Sequence, residues 1–224
     1  MKIEDWKKRK FLKEKISMLT CYDFTLAQVL NKTKIDALLI GDSSSMVMFG
    51  ESSTLSSSVD NLSQMCLAVS KGAQSKFIVC DLPFGFMQMS DDTFFSGVKK
   101  IMSCGANALK IEGFEGHGKK IEQLIQMGVP VMGHLGLMPQ HIQNYGGFKV
   151  QGKTDPAKVQ ILNWAKQLQK LGVFAIVLEC IPVDLADVIS KELDIPTIGI
   201  GAGPSTDGQI LVLHDFLGLT DFKA

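Results

Sequence analysis

Six ionisable side chains stand where short apolar runs end: Asp42, Asp81, Lys110 with Glu112, His134 and Glu179. In a parallel α/β fold the residues that do chemistry lie at the carboxyl ends of strands, because side chains there converge on one mouth. Tyr22 with Asp23, Ser43 beside Asp42, and the glycine-rich run at 199–203 complete the series of run ends. Five of these seven clusters carry an acid, too many carboxylates for one mouth without a cation. The inference is a hard divalent metal, with Asp42 and Asp81 as direct ligands and Glu112 close by or reaching through water. Magnesium suits oxygen-only ligation, since it takes one or two carboxylates and keeps positions open for a bidentate ligand. The sequence has no His-x-x-x-His spacing of the kind that would argue for zinc.

A 2-oxo acid presents its keto oxygen and one carboxylate oxygen to such an ion, which acidifies the neighbouring carbon and opens enolate chemistry. The developing oxyanion falls to the metal and to Lys110 or His134, and a carboxylate base must take the proton from the other side. Glu179, closing an otherwise apolar run, is the candidate. Simpler readings compete at each position. Asp23, two residues before Thr25, reads as a helix N-cap. Asp42 and Asp81 escape that reading because neither is expected to lead directly into a helix. Lys110 alone would point to solvent, but Glu112 two residues on shares its side of the strand. His134 alone would be a satisfied core histidine. The run G-I-G-A-G lacks the G-x-G-x-x-G spacing of a dinucleotide site and reads instead as close approach of backbone to substrate.

These residues need elements to hold them. Apolar runs at 18–23, 37–43, 77–83, 108–113, 130–135, 174–180, 196–202 and 209–214 read as strands buried on both faces. Helical periodicity lies between them at 59–71, 92–104, 119–127, 156–171 and 185–193. In the second of these helices Phe94, Val98, Ile101 and Met102 make a core-facing stripe, interrupted by Lys99 and Lys100. Strand and helix in alternation give a closed (β/α)₈ barrel or an open doubly wound sheet, and local pattern does not choose between them. The Ser-rich stretch at 52–58 reads as a loop.

The 224 residues, 46% of them hydrophobic, suit a single catalytic domain spanning 1–224. The 23 basic and 23 acidic side chains cancel, so no global field favours nucleic acid or an anionic membrane. The Lys/Glu-crowded start has the wrong order for a secretory signal, and no apolar run approaches a membrane span, so a cytoplasmic protein is expected. Five scattered cysteines, none in a C-x-x-C pair, argue against disulfide or zinc frameworks.

The motifs I-G-D-S at 40–43, C-D-L-P-F at 80–84, L-K-I-E-G at 109–113, P-V-M-G-H-L-G-L-M-P-Q at 130–140, G-G-F-K-V-Q-G at 146–152, V-L-E-C-I-P at 177–182 and I-G-I-G-A-G-P-S-T-D-G-Q-I-L at 198–211 succeed one another in order. The series resembles the ketopantoate hydroxymethyltransferase family from 17 to 220. The resemblance implies a (β/α)₈ TIM barrel of the phosphoenolpyruvate/pyruvate superfamily. It also implies the activity: 2-oxoisovalerate, methylene-tetrahydrofolate and water give ketopantoate and tetrahydrofolate, in pantothenate biosynthesis. By motif, Asp42 and Asp81 match the Mg²⁺ ligands at the substrate-binding centre and Glu112 the metal-site acid. Ser43, Lys110 and His134 match the oxo-acid contacts, and Glu179 the general base. Homo-oligomers are implied as well, commonly decamers of pentameric rings.

Two features depart from the family. Glu51 and Ser56 replace the usual His and Pro of a G-H-x-S-T-L-P loop, and the family's chains continue past the equivalent of Asp221. The barrel is therefore expected without its final covering helix. A related carbon–carbon lyase is the alternative enzyme, but its K-x-C-G-H motif is absent. A catalytically impaired homologue serving as an oligomer subunit is the alternative of another class.

Overall fold

In the computed structural model, which describes residues 1–220, eight parallel strands form a closed barrel in the order of the sequence. They are β1 (Ile16–Thr20), β2 (Ala37–Ile40), β3 (Phe77–Asp81), β4 (Ala108–Glu112), β5 (Val131–Gly136), β6 (Ala175–Glu179), β7 (Thr197–Ile200) and β8 (Gly208–Leu211). All eight expected strands form, each within a few residues of the span read from the sequence. The closed order settles the choice between barrel and open sheet. The helices are α1 (Ile3–Leu12), α2 (Phe24–Asn31), α3 (Ser44–Phe49), α4 (Val59–Gly72), α5 (Asp91–Ser103), α6 (Gly118–Gln126), α7 (Ile142–Tyr145), α8 (Asp155–Leu171), α9 (Val183–Glu192) and α10 (Leu213–Phe216).

The chain divides into two compact units. In the first, Ser17–Leu109 with the chain from Ile210, Met18 pairs with Ala37 and Ala37 with Phe77, which sets the ends of β2 and β3 level. Helix α5 buries Phe94, Val98 and Ile101 and leaves Lys99 and Lys100 exposed, as its spacing predicts, whereas Met102, expected in the same stripe, is only half-buried. Ser58 and Ser90 cap α4 and α5 by accepting the backbone N–H groups of Asn61 and Thr93. After β8 only the four-residue α10 is described, and Leu26, Val29 and Leu30 of α2 line an apolar groove of about 390 Å³ with Leu213, Phe216 and Leu217.

In the second unit, Lys2–Ile16 with Lys110–Gln209, β5 pairs with β6, β6 with β7 and β7 with β8. Helix α1 is anchored by Trp6, which is fully buried edge-on against Phe174 with ring centroids 5.0 Å apart. Lys10 Nζ donates to the Ser190 carbonyl at 2.7 Å and to Asp207 at 2.6 Å. No helix among the described residues is long and apolar enough to cross a membrane.

Three helices depart from the sequence reading. α1 buries only Trp6, so it has no apolar stripe to recognise. α2 is short and buries only Ala27 and Leu30, although Asp23 caps it as expected by accepting the Leu26 N–H at 2.9 Å. Helix α3 overturns the expectation that no helix follows Asp42 at once. Its N-cap position is Ser43, however, so the Asp42 carboxylate is not spent as the cap.

The turn out of β5 depends on Gly136, at φ +98°, where a Cβ would lie 2.2 Å from the Glu179 carbonyl oxygen. Gly128 has a similar φ of +83° but open space around it. Gly128→Ala should therefore cost about 1–2 kcal/mol for the left-handed backbone alone. Gly136→Ala should cost roughly 1–3 kcal/mol more from overpacking. Denaturant melts of both variants test this, and equal losses would show that the backbone at Glu179 yields freely.

Candidate active site

In the first unit the ends of β1, β2 and β3 bring Tyr22, Asp42, Ser43 and Asp81 together. Asp42 and Asp81 are only 3% and 2% exposed. The Asp42 backbone N–H donates to Asp81 Oδ2 at 3.0 Å, and Tyr22 Oη lies 2.8 Å from Ser43 Oγ. Gly41 makes this gathering possible. A Cβ there would stand 2.7 Å from Ser43 Oγ and 3.7 Å from Asp81 Oδ2. Burial, followed at a distance by the charges of Asp81 and Asp42, pushes the Tyr22 phenol up and keeps it protonated. The expected ligand pair is thus two buried oxygen donors on neighbouring strands. Among the described residues no three His, Cys, Asp or Glu side chains gather closely enough to hold an ion between them. Two carboxylates without nitrogen or sulfur donors fit a magnesium ion that keeps water and substrate in its remaining positions.

In the second unit β4, β5 and β6 assemble Lys110, Glu112, His134 and Glu179. Lys110 and Glu112 are two residues apart on one strand, both buried, with Nζ 3.6 Å from Glu112 Oε1. They share a side of β4 as the sequence suggests. The His134 imidazole stands between two acids: Nδ1 is 3.3 Å from Glu112 Oε1, and Nε2 is 3.2 Å from Glu179 Oε2. Lys110 Nζ is also 3.3 Å from Nδ1. With the imidazole charged, Lys110 and His134 share Glu112 as two cations around one carboxylate. The Gln140 N–H donates to Glu112 Oε2 at 3.1 Å, and His117 Nδ1 lies 3.1 Å from the Glu112 carbonyl oxygen. Glu179 is the most open of the four, its side chain 17% exposed against 2% for His134.

Burial and the Lys110 charge both work to lower the His134 pKa, but the carboxylates of Glu112 and Glu179 outweigh them and raise it to about 9. For Glu112, burial works upward and is outweighed by His134, Lys110 and the Gln140 N–H, so the group is lowered. The pair is therefore ionic at neutral pH.

Every site residue expected from the sequence lies in one of these two clusters. The sequence offered no signal for the Gln140 N–H, a backbone group, or for the Tyr22–Ser43 bond. His214, whose ring centroid is 5.7 Å from that of Tyr22, also went unread. The glycines at 199 and 203 have packing reasons of their own: a Cβ would meet Thr206 Oγ1 at 2.7 Å and Val183 at 2.8 Å.

The His134 shift fixes a pH window. An imidazole raised on folding contributes stability that is complete below its ordinary value of 6.5 and is lost as pH rises through about 9. A depressed carboxyl such as Glu112 contributes above its ordinary 4.5 and loses that contribution in acid. The pair thus stabilises most between pH 4.5 and 6.5. NMR titration of the His134 ring in chelator-treated protein should give a midpoint near 9, and Glu112→Gln should bring it below 6.5 because burial and Lys110 then prevail. An unmoved midpoint would refute the pairing.

The sequence profile of the ketopantoate hydroxymethyltransferase family matches residues 1–224. The chain is 51% identical over 219 residues to 3-methyl-2-oxobutanoate hydroxymethyltransferase of Francisella tularensis subsp. tularensis (strain WY96-3418), covering 97% of this chain and 83% of that protein. It is 47% identical to the enzyme of the same name from Coxiella burnetii (strain CbuK_Q154), covering 97% and 82%. Among solved structures the fold is similar to a phosphonopyruvate hydrolase complex with oxalate and Mg²⁺, at TM-score 0.71 and 11% identity, covering 98% of this chain and 83% of that one. It is also similar to 2,3-dimethylmalate lyase of the PEP mutase/isocitrate lyase superfamily, at TM-score 0.69 and 13% identity, covering 97% and 82%. The barrel is thus one shared with that superfamily, and the chain belongs to the ketopantoate hydroxymethyltransferase family.

Proposed function

We propose that this chain makes ketopantoate by transferring a hydroxymethyl group from methylene-tetrahydrofolate to 2-oxoisovalerate, with magnesium, as one catalytic domain. Relatives of that name, about half identical over nearly the whole chain, support the activity. The observation that carries the chemistry is Glu179, a partly open acid held 3.2 Å from the buried His134 at the end of β6. Both clusters stand at the carboxyl ends of parallel strands, where barrel enzymes carry their chemistry.

In this reading Asp42 and Asp81 would hold the magnesium ion, and Glu112, which Lys110, His134 and the Gln140 N–H surround, would be the further metal-site acid. Magnesium, when bound, polarises the keto group of the oxo acid. Asp42, Ser43 and Asp81 also border the substrate. Glu179 keeps Oε2 toward His134 and takes the C3 proton of 2-oxoisovalerate with Oε1. The charged Lys110 and His134 stabilise the enolate oxygen. The C3 carbanion then forms the new carbon–carbon bond to the one-carbon unit of the folate. That carbon starts bonded to two folate nitrogens, and both carbon–nitrogen bonds break, the nitrogens taking up the proton lost from C3 and one proton from water. Water supplies the hydroxyl of the product, so that the sum is ketopantoate plus tetrahydrofolate. A cytoplasmic homo-oligomer is the assembly we propose. The apolar groove beside α2 and the exposed Val29, Phe216, Leu217 and Leu219 support it as surface available to a second copy.

The direct test is ketopantoate formation from the two substrates with and without magnesium. Asp42→Ala and Asp81→Ala should each abolish metal-dependent turnover while the melting transition remains cooperative. Undiminished activity in either variant, with magnesium still required, would remove that residue from the ligand set.

Glu179→Gln preserves shape and removes the basic oxygen. Deuterium exchange into C3 of 2-oxoisovalerate should fall by roughly 10²–10⁴-fold, with oxo-acid binding retained. Exchange at the normal rate would place the base elsewhere.

A further inference from the structure

We propose that Tyr22 is a positioning residue for the oxo acid: its phenol donates to Ser43 Oγ, which leaves the Ser43 proton to bind the substrate carboxylate. The inference rests on the proposed function, which sets Ser43 against the substrate.

Ser43 occupies the N-cap of α3 and yet makes no capping hydrogen bond with its side chain. A serine at that position ordinarily spends its oxygen on a backbone N–H of the first turn. Here the hydroxyl is turned instead over the bare backbone of Gly41, where a Cβ would come within 2.7 Å of it, and toward the Tyr22 phenol at 2.8 Å. One bond therefore decides what Ser43 can offer. A hydroxyl has one proton and two lone pairs. Were Ser43 the donor to Tyr22, it would present only lone pairs to an incoming carboxylate, beside the carboxylates of Asp42 and Asp81. With Tyr22 as donor, Ser43 presents a proton.

The surroundings of Tyr22 favour that polarity. The Leu213 backbone N–H, which can only donate, bonds Thr20 Oγ1 at 2.9 Å, so Thr20 keeps its own proton to offer, and Thr20 acts to lower the titration of the Tyr22 phenol as a hydrogen-bond donor to it does. The polarity proposed runs from Leu213 N–H through the Thr20 and Tyr22 hydroxyls to Ser43, an arrangement in which each group can donate to the next. Tyr22 is buried, and the His214 ring lies at its side, tilted by 36°. The Tyr22 ring is thus held in place, with its oxygen 2.8 Å from Ser43 Oγ. Tyr22 touches the substrate only through Ser43.

The test is a double-mutant cycle in the full chain with magnesium present. Tyr22→Phe should raise KM for 2-oxoisovalerate, and its Kd by equilibrium titration, roughly tenfold. kcat, KM for methylene-tetrahydrofolate and melting temperature should stay within about twofold or a few degrees of the parent. Ser43→Ala should produce a similar or larger rise. The Tyr22→Phe effect should vanish when Ser43 is already Ala, because a residue acting through another loses its influence once that one is gone. Multiplicative effects in the double variant would overturn the inference, as would a Tyr22→Phe protein with unchanged oxo-acid affinity. A parent protein that turns over neither substrate would sink the proposed function itself, and this inference with it.

Discussion

Lys110, Glu112 and His134 are ionisable groups withdrawn from water together, and no one of them is tolerable there alone. Removing one partner from a buried ion pair typically costs about 3–5 kcal/mol, because the other charge is left uncompensated. The cluster therefore constrains the strands that carry it. Lys110 and Glu112 must stay on one side of β4, and β5 must hold its imidazole where one nitrogen meets Glu112 and the other meets Glu179. The β5–β6 register, with Gly136 opposite Glu179 and His134 opposite Val177, is what delivers that second contact. A one-residue slip of either strand would turn its side chain to the other face and strand a buried charge.

The other cluster poses the converse problem. Asp42 and Asp81 are two buried carboxylates at the ends of neighbouring strands, and the Asp42 backbone N–H donates to Asp81 Oδ2. Buried like charges on neighbouring strands repel. A hard cation offsets that repulsion with the donors already present, which is why the proposed magnesium site needs no third side chain from the same strands. In both clusters a glycine is what lets polar atoms approach backbone. Gly41 clears the way for the Ser43 hydroxyl, and Gly136 for the carbonyl of Glu179.

The strands were legible because they are apolar on both faces, and the acids were legible because they end those strands. Asp42, Asp81, Lys110, Glu112, His134 and Glu179 could all be picked from position alone. Three things were hidden, each for a physical reason. Helices α1, α2 and α3 bury too few residues to show a stripe, Trp6 alone in the first case. The charge of His134 depends on carboxylates from two other strands, 22 residues before it and 45 after, so the residue reads on its own as an ordinary core histidine. The orientation of Ser43 is set by Tyr22, 21 residues earlier, against the capping preference that its own place in the sequence announces.

Glu179 shows how the backbone under a partly exposed acid is fixed. The residue after it, Cys180, takes φ +45°, one of only two non-glycine positive values among the described residues. A side chain held there costs roughly 1–3 kcal/mol and persists only where its surroundings over-determine it. Those surroundings are visible: the Cys180 N–H donates to the Ile200 carbonyl at 2.9 Å, and its own carbonyl accepts from Gln151 N–H at 2.9 Å. The Glu179 carbonyl in turn accepts from Leu137 N–H at 2.8 Å, next to the glycine that allows the approach. The backbone on both sides of the Glu179 side chain is thus bound to three separate segments. These bonds fix the chain beneath the partly open carboxylate, and the His134 contact at 3.2 Å fixes one of its oxygens.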